Sequence, residues 1–194
     1  LGTTTVENLL KINNPFDFPK PVPLIKFLCE LVLDDGDIVL DFFSGSGTTA
    51  QAVMELNSED NKNRKYILVQ LPELLKKDSE AFKKGFNNIC DLARKRLDEA
   101  GNMIIKETGK KDLDIGFKVF KLDSSNFKQW DPETKNLEED LFELQNNIKD
   151  GRTQEDLLYE ILLKLGLPLT TPIEEIKVNG KTIYNVGFGG VLIC

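Results

Sequence analysis

Apolar residues recur at helical spacing between positions 24 and 32, where Leu24, Ile25, Phe27, Leu28, Leu31 and Val32 predict one helix face. Pro19, Pro21 and Pro23 come just before. Three prolines in five positions forbid a helix interior and predict an extended segment, with Pro23 tolerated in the first helical turn. Asp34-Asp35-Gly36-Asp37 ends the helix and leads into Ile38 to Asp41, a short apolar run of strand character. A turn of small residues follows, then a helical pattern from Thr48 to Leu56. Asn57 to Lys65 is polar and predicts a loop. Tyr66 to Leu71 is a continuous apolar run closed by Pro72, the pattern of a strand buried on both faces of a parallel sheet. Strand, helix and strand within about 35 residues make one βαβ unit.

The flanking pattern is simpler. Residues 1 to 14 predict a short helix or an extended lead-in. Ser79 to Phe86 is amphipathic, and a longer helix from Asn87 to Glu107 carries Ile89, Leu92, Ala93, Leu97, Ala100 and Ile104 in one stripe. Arg94, Lys95 and Arg96 read as a solvated face with ion-pair partners. Gly116 to Leu122 alternates as a strand, and Ser124 to Asn136 is a loop holding the only tryptophan, Trp130. Leu137 to Ile148 and Thr153 to Leu165 predict helices, the second opened by the capping signal Thr153-x-x-Asp156. Ile173 to Val178, Asn179-Gly180 and Lys181 to Val186 predict a hairpin, and Gly190 to Cys194 a last strand.

Composition narrows the classes. The 194 residues are 40% hydrophobic and 29% charged, as in a soluble globular protein. No apolar run approaches the roughly 20 residues of a membrane helix. The start lacks a basic region before an apolar block, so no signal peptide is expected. It also lacks an initiator Met, which suggests a fragment or a processed product. Histidine is absent, which excludes Ser-His-Asp and Cys-His triads within the chain. Cys29, Cys90 and Cys194 match no zinc or disulfide spacing. No metal site is expected. Cys29 and Cys90 are read as buried core thiols in a reducing, cytoplasmic setting. The net charge of -7 lacks the excess of basic residues that a free-standing nucleic-acid binder shows.

The candidate chemistry centres on Asp41-Phe42-Phe43-Ser44-Gly45-Ser46-Gly47-Thr48-Thr49-Ala50. Glycines let the backbone turn sharply and a ligand approach closely, and the following helix starts with unpaired N–H groups. This is a nucleotide-type cofactor site at the carboxyl end of a parallel strand. Gly45-x-Gly47-x-x-Ala50 also fits a dinucleotide fingerprint, so an NAD-binding dehydrogenase fragment stands as an alternative.

Phe18-Pro19-Lys20-Pro21, the glycine turn, and Tyr66-Ile67-Leu68-Val69-Gln70-Leu71-Pro72-Glu73 together resemble the β-class adenine-N6 DNA methyltransferases, in particular the modification subunits of type III restriction–modification systems. The resemblance runs from about Phe16 to Glu73 and looks family-like through Gly116 to Asn126. It implies an α/β, Rossmann-like S-adenosylmethionine-dependent methyltransferase fold, here its C-terminal portion, with a small α+β segment behind it. The expected division is residues 1–123 for the cofactor-binding portion and 124–194 for a helical segment with a β-hairpin. S-adenosylmethionine is the implied cofactor. Its candidate contacts are Phe18, Lys20, Pro21, Asp41, Phe43, Ser44, Gly45, Gly47, Thr48, Thr49, Gln70 and Glu73. The methionyl carboxylate would sit on the helix start near Gly47, with a Thr48 or Thr49 hydroxyl as an added donor. Asp41 would accept from the methionyl ammonium.

Two departures stand out. The superfamily places a ribose-binding acid at the end of the second strand, where this chain has Gln70; Glu73 could substitute. Transfer to an exocyclic amine needs an Asp/Asn/Ser-Pro-Pro-Tyr/Phe loop, and the sequence holds no Pro-Pro. No catalytic residue is therefore expected in the chain, and it alone should be inactive. The implied partners are double-stranded DNA, contacted mostly by other parts of the enzyme, a restriction subunit and a second modification subunit. A non-enzymatic alternative makes Leu137 to Cys194 a subunit-docking surface.

Overall fold

The computed structural model describes residues 2–128 and 147–194. Trp130 and the helix expected from Leu137 lie outside the described residues. Contacts divide the chain into two compact units, Leu1–Phe117 and Lys118–Cys194. The expected division of the cofactor-binding portion falls after residue 123.

The first unit starts with helix α1 (Gly2–Leu10) and helix α2 (Val22–Val32). Between them runs the proline segment, and Pro21 takes the extended conformation that lets α2 begin after it. Strand β1 (Ile38–Asp41), helix α3 (Thr48–Asp60) and strand β2 (Lys65–Leu68) form the expected βαβ unit, with β1 and β2 parallel from Ile38↔Lys65 to Asp41↔Leu68. Helix α4 (Glu80–Lys83) is a single turn capped by Ser79, and helix α5 (Ile89–Thr108) is capped by Asn88.

α3 is the buried centre of this unit. Val53 and Leu56 pack with Cys29 of α2, while Ala50 and Met54 pack with Leu97 and Ile104 of α5. A helix covered on two sides has little use for a polar face. A third cluster joins Val6, Ile12 and Phe16 to Ala81, Leu92 and Ala93.

Several expectations need correction. α3 runs on to Asp60 although Asn57 to Asp60 is polar. Asn57 is buried and exchanges hydrogen bonds with the Arg64 backbone, donating to Arg64 O at 2.9 Å and accepting from Arg64 N–H at 3.1 Å. Its polarity is met inside the protein, so it need not lie in a loop. β2 leaves the ladder after Leu68 rather than Leu71, and it is not buried on both faces. Val39, Tyr66 and Leu68 face the core, whereas Ile38, Leu40 and Ile67 are exposed. Among the described residues this sheet has two strands, and α3 and α5 cover only one side of it. Gly116 to Leu122 forms no strand, since no neighbouring strand pairs with it among the described residues. Cys29 is buried as expected, but Cys90 is only half-buried.

In the second unit, helix α6 (Gln154–Lys164) carries the capping box of Thr153 and Asp156. Strands β3 (Ile173–Val178), β4 (Lys181–Val186) and β5 (Val191–Ile193) form an antiparallel sheet in that order. Asn179 and Gly180 both have positive φ (50° and 79°), as a tight hairpin turn demands. Leu158 and Leu162 of α6 pack against Val186 to form its core.

Candidate functional site

The chain turns from β1 into α3 through two left-handed glycines, Gly45 (φ 50°) and Gly47 (φ 75°), the latter being the N-cap of α3. Three N–H groups of this turn are bonded within the protein. Gly47 N–H donates to Ser44 O at 2.7 Å, Ser44 N–H to Val69 O at 3.2 Å, and Gly45 N–H to Gln70 Oε1 at 2.8 Å. The first intrahelical bond is from Gln51 N–H to Gly47 O, so the N–H groups of Thr48, Thr49 and Ala50 precede the α3 ladder. No side chain caps them.

Asp41 ends β1 and braces the turn. Its Oδ1 accepts from Phe43 N–H at 3.2 Å, and its Oδ2 accepts from the Thr49 hydroxyl at 2.6 Å. The Thr48 hydroxyl is buried and donates to Lys20 O at 3.3 Å. Both threonine protons are thus engaged inside the protein. In this structure the hydroxyls expected as added donors are bonded within the protein, and the backbone N–H groups at the start of α3 are left uncapped.

That same Thr48 bond brings the Pro-Lys-Pro segment to the turn. Gly2 of α1 fixes the segment from behind: a Cβ there would lie 2.1 Å from Pro19 O. Lys20 presents an exposed side chain, and Phe18 is 90% exposed on a left-handed backbone (φ 51°). Phe43 is also exposed, its ring 5.1 Å from that of Phe42. An open groove of about 310 Å³ adjoins the turn; Ile25, Leu28, Val39 and Phe43 make its apolar wall, and Asp41 and Thr49 its polar end.

Gln70 proves to be a strut rather than a free acceptor. With its Oε1 on Gly45, its Nε2 lies 3.3 Å from Leu71 O and 3.4 Å from Glu73 Oε1. The amide therefore ties the glycine turn to the end of β2 and points its N–H₂ at an exposed carboxylate.

The residue that sequence reasoning missed is Arg96. Arg94 and Lys95 do pair with Asp91 and Glu99 on the surface. Arg96, by contrast, is fully buried beneath the turn. Its Nη1 lies 3.0 Å from Ser46 O, 2.5 Å from Ser46 Oγ and 2.9 Å from Thr48 Oγ1; Nε and Nη2 donate to Gln51 Oε1 at 3.2 and 2.9 Å. Burial pushes its pKa down to about 10, and the charge of Glu55 partly opposes this. Gln51 links the two, since its Nε2 donates to Glu55 Oε1 at 3.0 Å. The signal was in the spacing: Arg96 lies four residues from both Leu92 and Ala100, in the middle of the apolar stripe.

A family profile described as a DNA methylase matches residues 3–81, a span that holds the Pro-Lys-Pro segment, the glycine turn, Gln70 and Glu73. Residues 3–81 are thus similar to the DNA methylase family. The chain is 36% identical over 170 residues (88% of its length, 25% of the relative's) to the EcoP15I Mod subunit, a type III restriction-modification enzyme of Escherichia coli. It is 35% identical over 191 residues (94% and 28%) to the EcoPI Mod subunit of Escherichia phage P1. The type II methyltransferase M.KpnI of Klebsiella pneumoniae is 40% identical over 82 residues, 42% of this chain and 20% of that one. The chain thus spans about a quarter of the length of the type III relatives it matches. None of these relatives is named as a dehydrogenase. Among the chain's described residues no helix is long and apolar enough to cross a membrane.

Proposed function

We propose that this chain is the S-adenosylmethionine-binding portion of a site-specific adenine-N6 DNA methyltransferase of a restriction–modification system, built on a Rossmann-like methyltransferase fold. One observation carries the reading: the Pro-Lys-Pro segment is hydrogen-bonded to the glycine turn through Thr48, while Gln70 joins that turn to Glu73. Three separate sequence elements thereby line one site.

The residues suit the cofactor. The uncapped N–H groups at the start of α3 suit a carboxylate, which the helix dipole also favours. Asp41 keeps free lone pairs for an ammonium, since an ionised carboxylate offers about four acceptor sites and two are used here. Exposed Phe18 and Phe43 offer apolar surface, and Lys20 and Pro21 flank the turn. Glu73 is the ribose acceptor, oriented by Gln70. When bound, the cofactor supplies an electrophilic methyl group on a positively charged sulfur. The chain's own residues bind and orient it; they do not activate the base. That task falls to a Pro-Pro-type loop, which this sequence lacks, and to the regions that hold double-stranded DNA. Leu137 to Cys194 is a candidate docking segment for a restriction subunit or a second modification subunit.

Equilibrium titration with S-adenosylhomocysteine tests the site. The chain should bind it, and Asp41→Asn and Glu73→Gln should each weaken binding about tenfold, the scale of one lost charge-assisted hydrogen bond. Binding of NAD in its place would overturn the proposal. Incubation with labelled S-adenosylmethionine and duplex DNA should give no incorporation by the chain alone.

A further inference from the structure

We infer that Arg96 is a positioning residue of the cofactor site, which sets the hydroxyl chain that clamps the Pro-Lys-Pro segment to the glycine turn. This rests on the cofactor reading above.

The argument is one of protons. A guanidinium donates and never accepts. Arg96 Nη1 faces three oxygens: Ser46 O, Ser46 Oγ and Thr48 Oγ1. Both hydroxyls must therefore accept from it, and each keeps one proton to give. Ser46 Oγ lies 3.1 Å from Thr48 Oγ1, and Thr48 Oγ1 lies 3.3 Å from Lys20 O. Only one direction gives each of these two protons an acceptor among these oxygens. Ser46 donates to Thr48, and Thr48 donates to the carbonyl of Lys20. If Thr48 donated to Ser46 instead, Lys20 O would lose its bond and the Ser46 proton would have no acceptor among these oxygens. The guanidinium thus orients the whole relay from below, and it lies on a helix that the family profile does not reach.

The counter-charge is held away from the turn. Among the described residues no carboxylate bonds Arg96 directly; Glu55 acts on it through the Gln51 amide. With both ends of that amide used, Gln51 is locked as a spacer. The positive group stays buried under the turn rather than being neutralised beside it. A buried guanidinium with neutral acceptors alone is costly to keep unless its position matters. The clamp bears on the methionyl half of the ligand, next to the turn, and not on the adenosine half, next to Gln70 and Glu73.

The test compares two ligands on the 194-residue chain. S-adenosylhomocysteine carries the amino-acid half; 5′-methylthioadenosine lacks it. Arg96→Met should weaken S-adenosylhomocysteine at least about tenfold, while 5′-methylthioadenosine changes less than about threefold. Thr48→Val should show the same selective loss, Thr48→Ser should restore wild-type affinity, and the double variant should bind no worse than Arg96→Met alone. Equal loss of both ligands, additive effects, or a folded Arg96→Met variant binding S-adenosylhomocysteine within twofold of wild type would each overturn the inference. Should Arg96→Met fail to fold, the Thr48→Val and Thr48→Ser pair decides: no selective loss in Thr48→Val sinks it. If the wild type binds neither ligand, the cofactor reading itself falls. If the wild type binds both and the variants do not discriminate, only the role of Arg96 falls.

Discussion

The two glycines of the turn look equivalent in the sequence, yet the structure predicts different consequences for replacing them by alanine. Both have positive φ, 50° at Gly45 and 75° at Gly47, so each substitution should cost about 1–2 kcal/mol of backbone strain. The added methyl groups meet different surroundings. At Gly47 the Cβ would touch Leu97 at 3.4 Å and Leu68 at 3.8 Å, ordinary contacts inside the core. At Gly45 its nearest neighbour would be Phe43 O at 3.9 Å, with open space beyond, on the side a ligand would take. Gly47→Ala should therefore cost stability and leave the ligand's space intact. Gly45→Ala should cost the same stability and also obstruct the ligand. With a urea slope of about 2 kcal/mol/M, both variants should lose about 0.5–1 M in midpoint. Isothermal titration with S-adenosylhomocysteine, at a temperature where both are fully folded, should then show the larger loss of affinity for Gly45→Ala. A larger loss for Gly47→Ala would refute the placement of the ligand on the open side of the turn.

Other predictions follow from single groups. The Tyr66 hydroxyl is buried with no hydrogen-bond partner among the described residues, and burial raises its pKa. Tyr66→Phe should raise stability by about 1 kcal/mol in urea melts; a destabilised variant would mean that the hydroxyl is satisfied. Glu80 is held down to about 2 from an ordinary 4.5 by hydrogen bonds from Lys84 and then from Asn13. Its folded pKa lies below the unfolded one, so its contribution is complete above pH 4.5 and is lost as pH falls toward 2. The melting temperature of the wild type should fall more steeply than that of Glu80→Gln across that window; parallel curves would remove Glu80 from the account. Arg64 is buried, grips both Asp60 oxygens at 3.1 and 2.8 Å, and donates to Leu33 O at 3.2 Å. Arg64→Met should lower stability by about 1–3 kcal/mol in the same melts, and an unchanged midpoint would count against this tie between α2, α3 and β2.

Local rules decided much of this protein in advance. The proline segment, the apolar stripe of α2, the glycine turn and the Asn179-Gly180 hairpin are all written in short-range pattern, because φ restrictions and side-chain periodicity act within a few residues. The candidate site was legible for the same reason: its parts are contiguous motifs. What pattern could not supply was the partner of each polar group. Asn57 reads as a loop residue until the Arg64 backbone satisfies it inside a helix. Thr48 and Thr49 read as free hydroxyls in a turn, yet they bond Lys20 O and Asp41 from distant segments. Ile67 reads as core until the covered face of the sheet is known. Arg96 reads as surface charge, yet the fold carries it 50 residues back along the chain to Ser46. A buried polar group is tolerable only with a partner, and whether a distant partner arrives is settled by packing and not by the neighbours in sequence.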